Sequence, residues 1–248
     1  MKIRIKRNPL IALGFALFFI ISCGPDEPQL PESPLNGRTT AVFNPSKKYG
    51  TVTDVDGNVY KTIVIGSQTW MAENLRVTHY RNGDAIPNIK DTTQWANQTE
   101  GAWCNYNNTE DLTAIATYGR LYNWYVTQNP GNIAPSGWRV ANVIDWEILI
   151  ETLGGDTIAS KHLKETGTLH WDGPNNADNS SGFTALPGQW RLLKGGYPFP
   201  FGIYASFWTS SLYSEVSAPF LYLYTRDTYI YKGMNFKVNG YSIRCIKE

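Results

Sequence analysis

The two most regular helical patterns of the chain lie within residues 118–155, on either side of a connector rich in proline and glycine. Tyr118, Leu121, Tyr122 and Tyr125 fall at i, i+3, i+4 and i+7, and so do Trp146, Leu149, Ile150 and Leu153. That spacing places each set on one face of a helix, so each helix has one side to bury. The second carries a start signal in Asn142 with Asp145 three residues on, a variant of the capping box, and a stop in Gly154 and Gly155. A shorter helix follows, which Asp156 can cap and in which Ala159, His162 and Leu163 share a face.

The rest of the pattern is strands and turns. Residues 51–55, 59–65 and 68–71 are separated by Asp56-Gly57-Asn58 and Gly66-Ser67, which reads as a three-strand meander. Asp54, Asp56 and Asn58 have the opening spacing of an EF-hand. However, the glycine is at the fourth position instead of the sixth, and Ile65 stands where a bidentate Glu is required, so a turn is the better reading. Residues 77–110 are loop-rich and polar, with Trp95 and Trp103 as pins onto the core, and residues 171–182 form a second long polar loop. In the C-terminal third Phe220, Tyr222 and Tyr224 alternate with Leu221 and Leu223, sending aromatics one way and leucines the other. Tyr229 and Tyr231 extend that tyrosine face, and residues 241–245 read as the last strand. Antiparallel strands with two to three helices grouped in the middle and long loops between them give an α+β class. Residues 49–248 fit a single domain.

The N-terminus stands apart. Lys2, Arg4, Lys6 and Arg7 precede an uncharged apolar run over residues 10–21. At about 1.5 Å per residue that run spans roughly 18 Å, short of the ~30 Å hydrocarbon core, so residues 1–22 read as an export signal instead of a membrane span. The sequence Ile20-Ile21-Ser22-Cys23-Gly24 resembles the lipobox of bacterial lipoproteins, which implies lipidation of Cys23 as the new N-terminus and a firm membrane anchor. Residues 23–48, with Pro25, Pro28, Pro31, Pro34 and Pro45, read as a Pro-rich tether. Asp26 and Glu27 resemble the acidic surface-export signals of some Gram-negative lipoproteins, or are simply tether polarity. The expected location is the cell envelope, in the outer membrane and exposed at the surface.

Removal of the signal leaves eighteen basic against twenty-one acidic residues, a net of −3, and with it no electrostatic case for nucleic acid.

The ordered motifs GNVYKTIVIGSQTWMAENLR, YGRLYNWY, PSGWRV followed by DWEIL and LGG, LKETG, SGFTALPG, FWTSS and the terminal YSIRC resemble the Fibrobacter succinogenes major paralogous domain over residues 49–248. The resemblance implies a secreted or lipidated bacterial surface protein and a C-type-lectin-like fold, and it carries no established molecular activity. In that layout YGRLYNWYV is the first helix and the segment beginning at Asn142 the second. Where the family often has cysteine before Pro-x-Gly-Trp this chain has Ala134, so the bridge that lectin-like folds make from there to the last strand, here to Cys245, cannot form.

The mature domain therefore keeps Cys104 and Cys245. In an exported protein the two can pair, stabilising by roughly 5 kcal/mol on a chain-entropy reckoning, or Cys245 can be a small buried hydrophobe beside Tyr241 and Ile243. Formylglycine-generating oxidases are similar in fold and use cysteines near a terminal Arg-Cys, but here that cysteine has no partner in the neighbouring motif. His79, His162 and His170 have no zinc spacing, and no serine sits in a nucleophile elbow. No catalytic constellation emerges, and the expectation is a non-enzyme. The richest oxygen cluster is Asp172, Asn175, Asn176, Asp178 and Asn179 beside Trp171, a set that can take calcium and a glycan, with Trp190 and Trp208 as further aromatic candidates. Two classes remain: a surface module binding a glycan or a surface protein, and a structural component of the envelope without a small ligand.

Overall fold

A computed structural model describes residues 30–248. The export signal and Cys23 lie outside the described residues. Three strands open the domain, β1 (Gly50–Thr53), β2 (Val59–Ile65) and β3 (Gln68–Met71), paired antiparallel as the meander predicts. The Asp54 carboxylate closes the first turn by accepting from the backbone N–H groups of Asp56 and Asn58, both at 3.0 Å. A short helix α1 (Thr92–Ala96), β4 (Trp103–Cys104), α2 (Leu112–Tyr118) and β5 (Leu121–Tyr122) follow, with Trp95 and Trp103 both buried.

The predicted helix over residues 118–125 is corrected here. Asp111 caps α2 by accepting from Thr113 N–H, and Gly119 ends it at a φ of 76°. A Cβ on Gly119 would lie 2.6 Å from the Asn74 side chain and 2.8 Å from the Leu75 carbonyl, so only glycine fits this stop. Beyond it, Leu121 and Tyr122 are extended and pair with Cys104 and Trp103. Their apolar spacing is satisfied by a two-stranded ladder and a following 3₁₀ turn at Trp124–Gln128.

Next come β6 (Trp138–Val140), α3 (Val143–Thr152) and α4 (Ala159–Leu163). In α3 both halves of the capping box form between Asn142 and Asp145, and Gly154 and Gly155 follow it at positive φ. The expected Asp156 cap is not made. Ile158 occupies the N-cap of α4, and Asp156 pairs instead with Lys232 at 2.8 Å. The chain ends with β7 (Tyr204–Trp208), β8 (Ser217–Tyr224), β9 (Ile230–Phe236) and β10 (Cys245–Lys247). The last strand therefore starts four residues later than expected, with Tyr241 and Ser242 making single bridges to Tyr122 and Phe207.

Strand β10 inserts between β3 and β6, giving a five-stranded sheet in the order β1-β2-β3-β10-β6. Its alternating side chains feed two cores. Tyr60, Met71, Val140 and Cys245 join one cluster, while Ile63, Trp70 and Ile246 join the other with Trp146, Leu149 and Ile150 of α3. Trp146 is wedged against Trp70, Phe207 and Phe183 at 4.8, 5.3 and 5.6 Å. Strands β7-β8-β9 form a separate antiparallel sheet. Among the described residues the architecture is thus mixed helix and antiparallel sheet, and no helix there is long and apolar enough to cross a membrane.

The tether expectation also needs correcting from Ser33 onward. Ser33 Oγ donates to Asn58 at 2.5 Å, Asn36 to the Gly57 carbonyl at 2.9 Å, and Asn44 to the Asn179 carbonyl at 2.9 Å. Midway, Val42 N–H donates to the buried Glu165 carboxylate at 2.5 Å. The other oxygen of Glu165 holds His170 Nδ1 at 2.7 Å, and His170 Nε2 meets Thr40 Oγ1 at 2.9 Å. Leu35 is buried against Ile115 and Ala116. A segment too polar to build a core is thus fastened, bond by bond, to a domain that already has one.

Candidate functional site

The period-two pattern of β8 produces the most distinctive open surface of the molecule. Leu221 and Leu223 turn inward with Ala205 and Phe207 of β7 and are buried. The opposite face carries Tyr204, Phe220, Tyr222, Tyr224 and Tyr231, each only partly buried. Register sets Tyr222 opposite Tyr231 and Tyr204 opposite Tyr224. Both pairs stack, with centroids 4.7 and 5.2 Å apart, and Tyr229 meets Tyr231 edge-on at 5.0 Å. Other rings pack against the row, since Phe220 stacks on Tyr241 at 5.0 Å and Trp190 and Phe199 lean on Tyr204 at 5.0 and 4.9 Å.

The tyrosine hydroxyls differ in what they do. Tyr231 donates to Asp227 Oδ2 at 2.6 Å, and Asp227 Oδ1 accepts from Tyr229 N–H at 2.8 Å. Among the described residues the hydroxyls of Tyr204, Tyr222 and Tyr224 meet no partner. The bond to Asp227 pushes Tyr231 up to about 12, and burial raises Tyr204 and Tyr222 as well, so these three stay protonated at neutral pH. The bond from Tyr231, followed by that from Tyr229 N–H, holds the Asp227 carboxyl below its usual range.

From beneath, Lys164 fixes the turn after β8. Its ammonium donates to the carbonyls of Tyr224, Thr225 and Asp227 at 2.9, 2.9 and 2.8 Å, and burial draws its pKa down to about 8 against the pull of Asp227. A flexible β8–β9 turn would let Asp227 wander. Lys164 ties it to α4.

The loop expected to carry the site does something else. Trp171 is 1% exposed, with its indole N–H on the Ala185 carbonyl at 3.0 Å, and Trp208 is fully buried, so neither ring can meet a ligand. The polarity of the neighbouring residues concealed where each ring points. Asn175 donates to the carbonyls of Glu165 and Gly167, and Asn179 is buried on Thr184. Asp178 accepts from Ser180 N–H and pairs with His162 at 3.0 Å. Burial pushes its carboxyl up, but the bonds from Ser180 and His162 outweigh this and bring it to about 2. Asp172 and Asn176 are exposed, and Asp172 is joined through its carbonyl to Thr225 at the end of β8. The expected oxygen cluster does not converge, and among the described residues no three His, Cys, Asp or Glu side chains gather into a metal-holding group. Of the candidate aromatics Trp190 borders the tyrosine face at Tyr204, and the buried Trp208 packs under it against Phe220 at 6.3 Å.

Tyr204, Asp227 and Lys164 were missed at the sequence level. Tyr204 had a signal, since YASFW also alternates. The roles of Lys164 and Asp227 depend on contacts far apart in the chain.

Of the two alternatives for Cys104 and Cys245, the structure shows them unpaired, with Cys245 a small buried side chain. Both thiols are free and buried, in different clusters, Cys104 with Trp95 and Leu121 and Cys245 with Tyr241 and Ile243. Burial raises both thiols above their ordinary value, which makes them poor nucleophiles.

Comparison with curated proteins and with solved structures gives no match. The family model of the Fibrobacter succinogenes major domain matches residues 63–247, from the middle of β2 to the end of β10. That span runs from within the first motif to the closing strand and covers most of the chain, which belongs to the Fibrobacter succinogenes major domain family.

Proposed function

We propose that this chain is a lipid-anchored, non-catalytic binding module of the bacterial cell envelope that takes a glycan on the tyrosine face of the β7-β8-β9 sheet. The observation that carries the reading is the row of half-exposed tyrosines whose hydroxyls at Tyr204, Tyr222 and Tyr224 have no protein partner, set beside the Asp227 carboxylate. Neutral phenols donate to sugar hydroxyls, the carboxylate accepts from them, and the rings supply apolar contact at little entropic cost. A shallow face of this kind binds weakly, with Kd near the millimolar end, about −4 kcal/mol. The anchor rests on Ile20-Ile21-Ser22-Cys23, and we place the protein in the outer membrane, facing outward. The order of the motifs, with α3 following PSGWRV and YSIRC running into β10, supports a C-type-lectin-like version of the mixed fold.

The second reading, an assembly component without a small ligand, is favoured by the neighbouring edge strand. Met234 and Phe236 of β9 and Val216 just before β8 are 47%, 51% and 60% exposed, a set of apolar side chains that a protein partner would cover.

Binding to a glycan array separates the two. Saturable binding that is lost in a Tyr222→Phe, Tyr224→Phe double variant, which removes only hydroxyls, supports the first reading. An array without binding, together with co-purification of an envelope protein that Met234→Asp releases, moves the second ahead. Metabolic labelling with a palmitate analogue tests the anchor, which is lost as a claim if Cys23→Ala still labels.

A further inference from the structure

A second, chemically different cavity opens where the N-terminal strap crosses the domain. It has a volume of about 380 Å³ and is walled by Leu35 of the strap and Leu112 at the start of α2. Its polar side chains include Arg120, His79, Asp56 and Thr78, with Glu32 among the strap residues that line it, and a second guanidinium, Arg76, which is already paired with Glu73 at 3.1 Å. A volume in this range suits a small organic molecule.

Two of these groups are held rigidly and yet left unfinished. The Arg120 guanidinium lies on the Trp103 ring at 4.1 Å, donates from Nε to the Arg76 carbonyl at 2.9 Å and from Nη1 to Asn105 Oδ1 at 2.6 Å. Among the described residues its Nη2 has no acceptor, and no carboxylate stands within ion-pair distance of it. His79 is fixed from its other side, with Nδ1 on Asp56 Oδ1 at 2.6 Å, while Asp56 Oδ2 accepts from both the N–H and the hydroxyl of Thr78 at 2.5 and 2.8 Å. A nitrogen facing a carboxylate carries the proton, so in the neutral ring Nε2 is an acceptor, and it too is unpartnered among the described residues. The His79 side chain is 44% exposed. The cavity thus pairs one guanidinium that has no carboxylate partner with one oriented imidazole whose Nε2 is left to bond a hydroxyl.

A guanidinium held on three sides is preorganised for a carboxylate, and the imidazole lone pair for a hydroxyl. Asp56 and Glu32 make the surroundings unfavourable for a second negative charge, which selects a monoanion over phosphate. We infer that this cavity is a binding site for a small hydroxycarboxylate of the sugar-acid type, its carboxylate on Arg120 and a hydroxyl on His79. The site is independent of the tyrosine face, so either assignment stands without the other.

The test is an isothermal and NMR titration of the full chain with D-glucuronate, D-glucose, butyrate and inorganic phosphate. The expected result is saturable binding of glucuronate with Kd of about 1 mM, at least tenfold weaker binding of glucose, butyrate and phosphate, and shifts at the Arg120 and His79 side chains. His79→Phe keeps a flat ring without the acceptor and weakens glucuronate about tenfold, as does Arg120→Met, while Tyr222→Phe leaves it unchanged. Should Arg120→Met unfold, the half-exposed His79→Phe variant decides the matter. Equal binding of glucose and glucuronate, phosphate binding as tightly as glucuronate, an unaltered affinity in His79→Phe, or no saturation by about 50 mM overturns the proposal.

Discussion

Tyr222 on β8 and Tyr231 on β9 lie face to face, with ring centroids 4.7 Å apart and planes within 5° of parallel. The pair sits at a directly opposed register position, where cross-strand side chains contribute most to sheet stability. A double-mutant cycle with Tyr222→Ala and Tyr231→Ala should give a favourable coupling of about 0.5–1.5 kcal/mol in urea unfolding. Coupling near zero would mean that the rings are held apart in solution and that the tyrosine row is not one surface.

Trp146 is 2% exposed and boxed by Trp70, Phe183 and Phe207. Trp146→Ala should therefore cost about 3–5 kcal/mol, read as a lowered urea midpoint. Its indole N–H has no partner among the described residues, so Trp146→Phe, which removes that orphaned donor, should cost clearly less. A loss under about 1 kcal/mol for the alanine variant would place α3 in the wrong rotation.

The strap depends on Glu165 and His170 at its midpoint. In His170→Ala the bonds from Thr40 and to Glu165 both go, and residues 33–44 should become susceptible to limited proteolysis while the rest of the domain stays protected. Cleavage appearing throughout the chain would show that the pair supports the whole fold and not the strap alone.

Alkaline pH should unfold the domain steeply. Burial holds Tyr60 and Tyr122 well above their ordinary value and, with Glu165 adding to it at the second, pushes Tyr80 and Tyr118 up to about 12. A phenol whose folded pKa is raised contributes stability that is complete below its unfolded value near 10 and is lost as pH rises toward 12. Absorbance at the phenolate band should thus show the buried tyrosines among the fifteen ionising above the ordinary phenol range and together with loss of circular dichroism. All fifteen titrating smoothly before any unfolding would contradict the burial described.

What the sequence disclosed follows from how local the determining forces are. Helix α3 was legible because its capping box and glycine stop act within a turn of the residues they cap. The alternation in β8 was legible because one face is buried and the other is not. The helix expected over residues 118–125 failed since Leu121 and Tyr122 find their burial on β4, and the backbone constraint at Gly119 comes from Asn74 and Leu75, far away in the chain. Trp171 sits in a run of Asp, Asn and Gly that signals turns, and nothing in that run reveals that the ring reaches Ala185. The strap was hardest to foresee, because Ser33, Thr40 and Asn44 are fastened by single polar bonds without any period.

The fastening of that strap sets a length. With the lipid on Cys23, as proposed, the chain is fastened to the domain ten residues on, at Ser33, and not only after Lys48. At about 3.5 Å per extended residue, the leash shrinks from roughly 90 Å to roughly 35 Å. On that proposal the domain would keep to a thin shell over its membrane, where a millimolar Kd would suffice because ligands fixed in that shell are met at high effective concentration. Detaching the strap at His170 would widen the shell and dilute those encounters, so the same bonds that finish the fold also decide how far from the lipid it can reach.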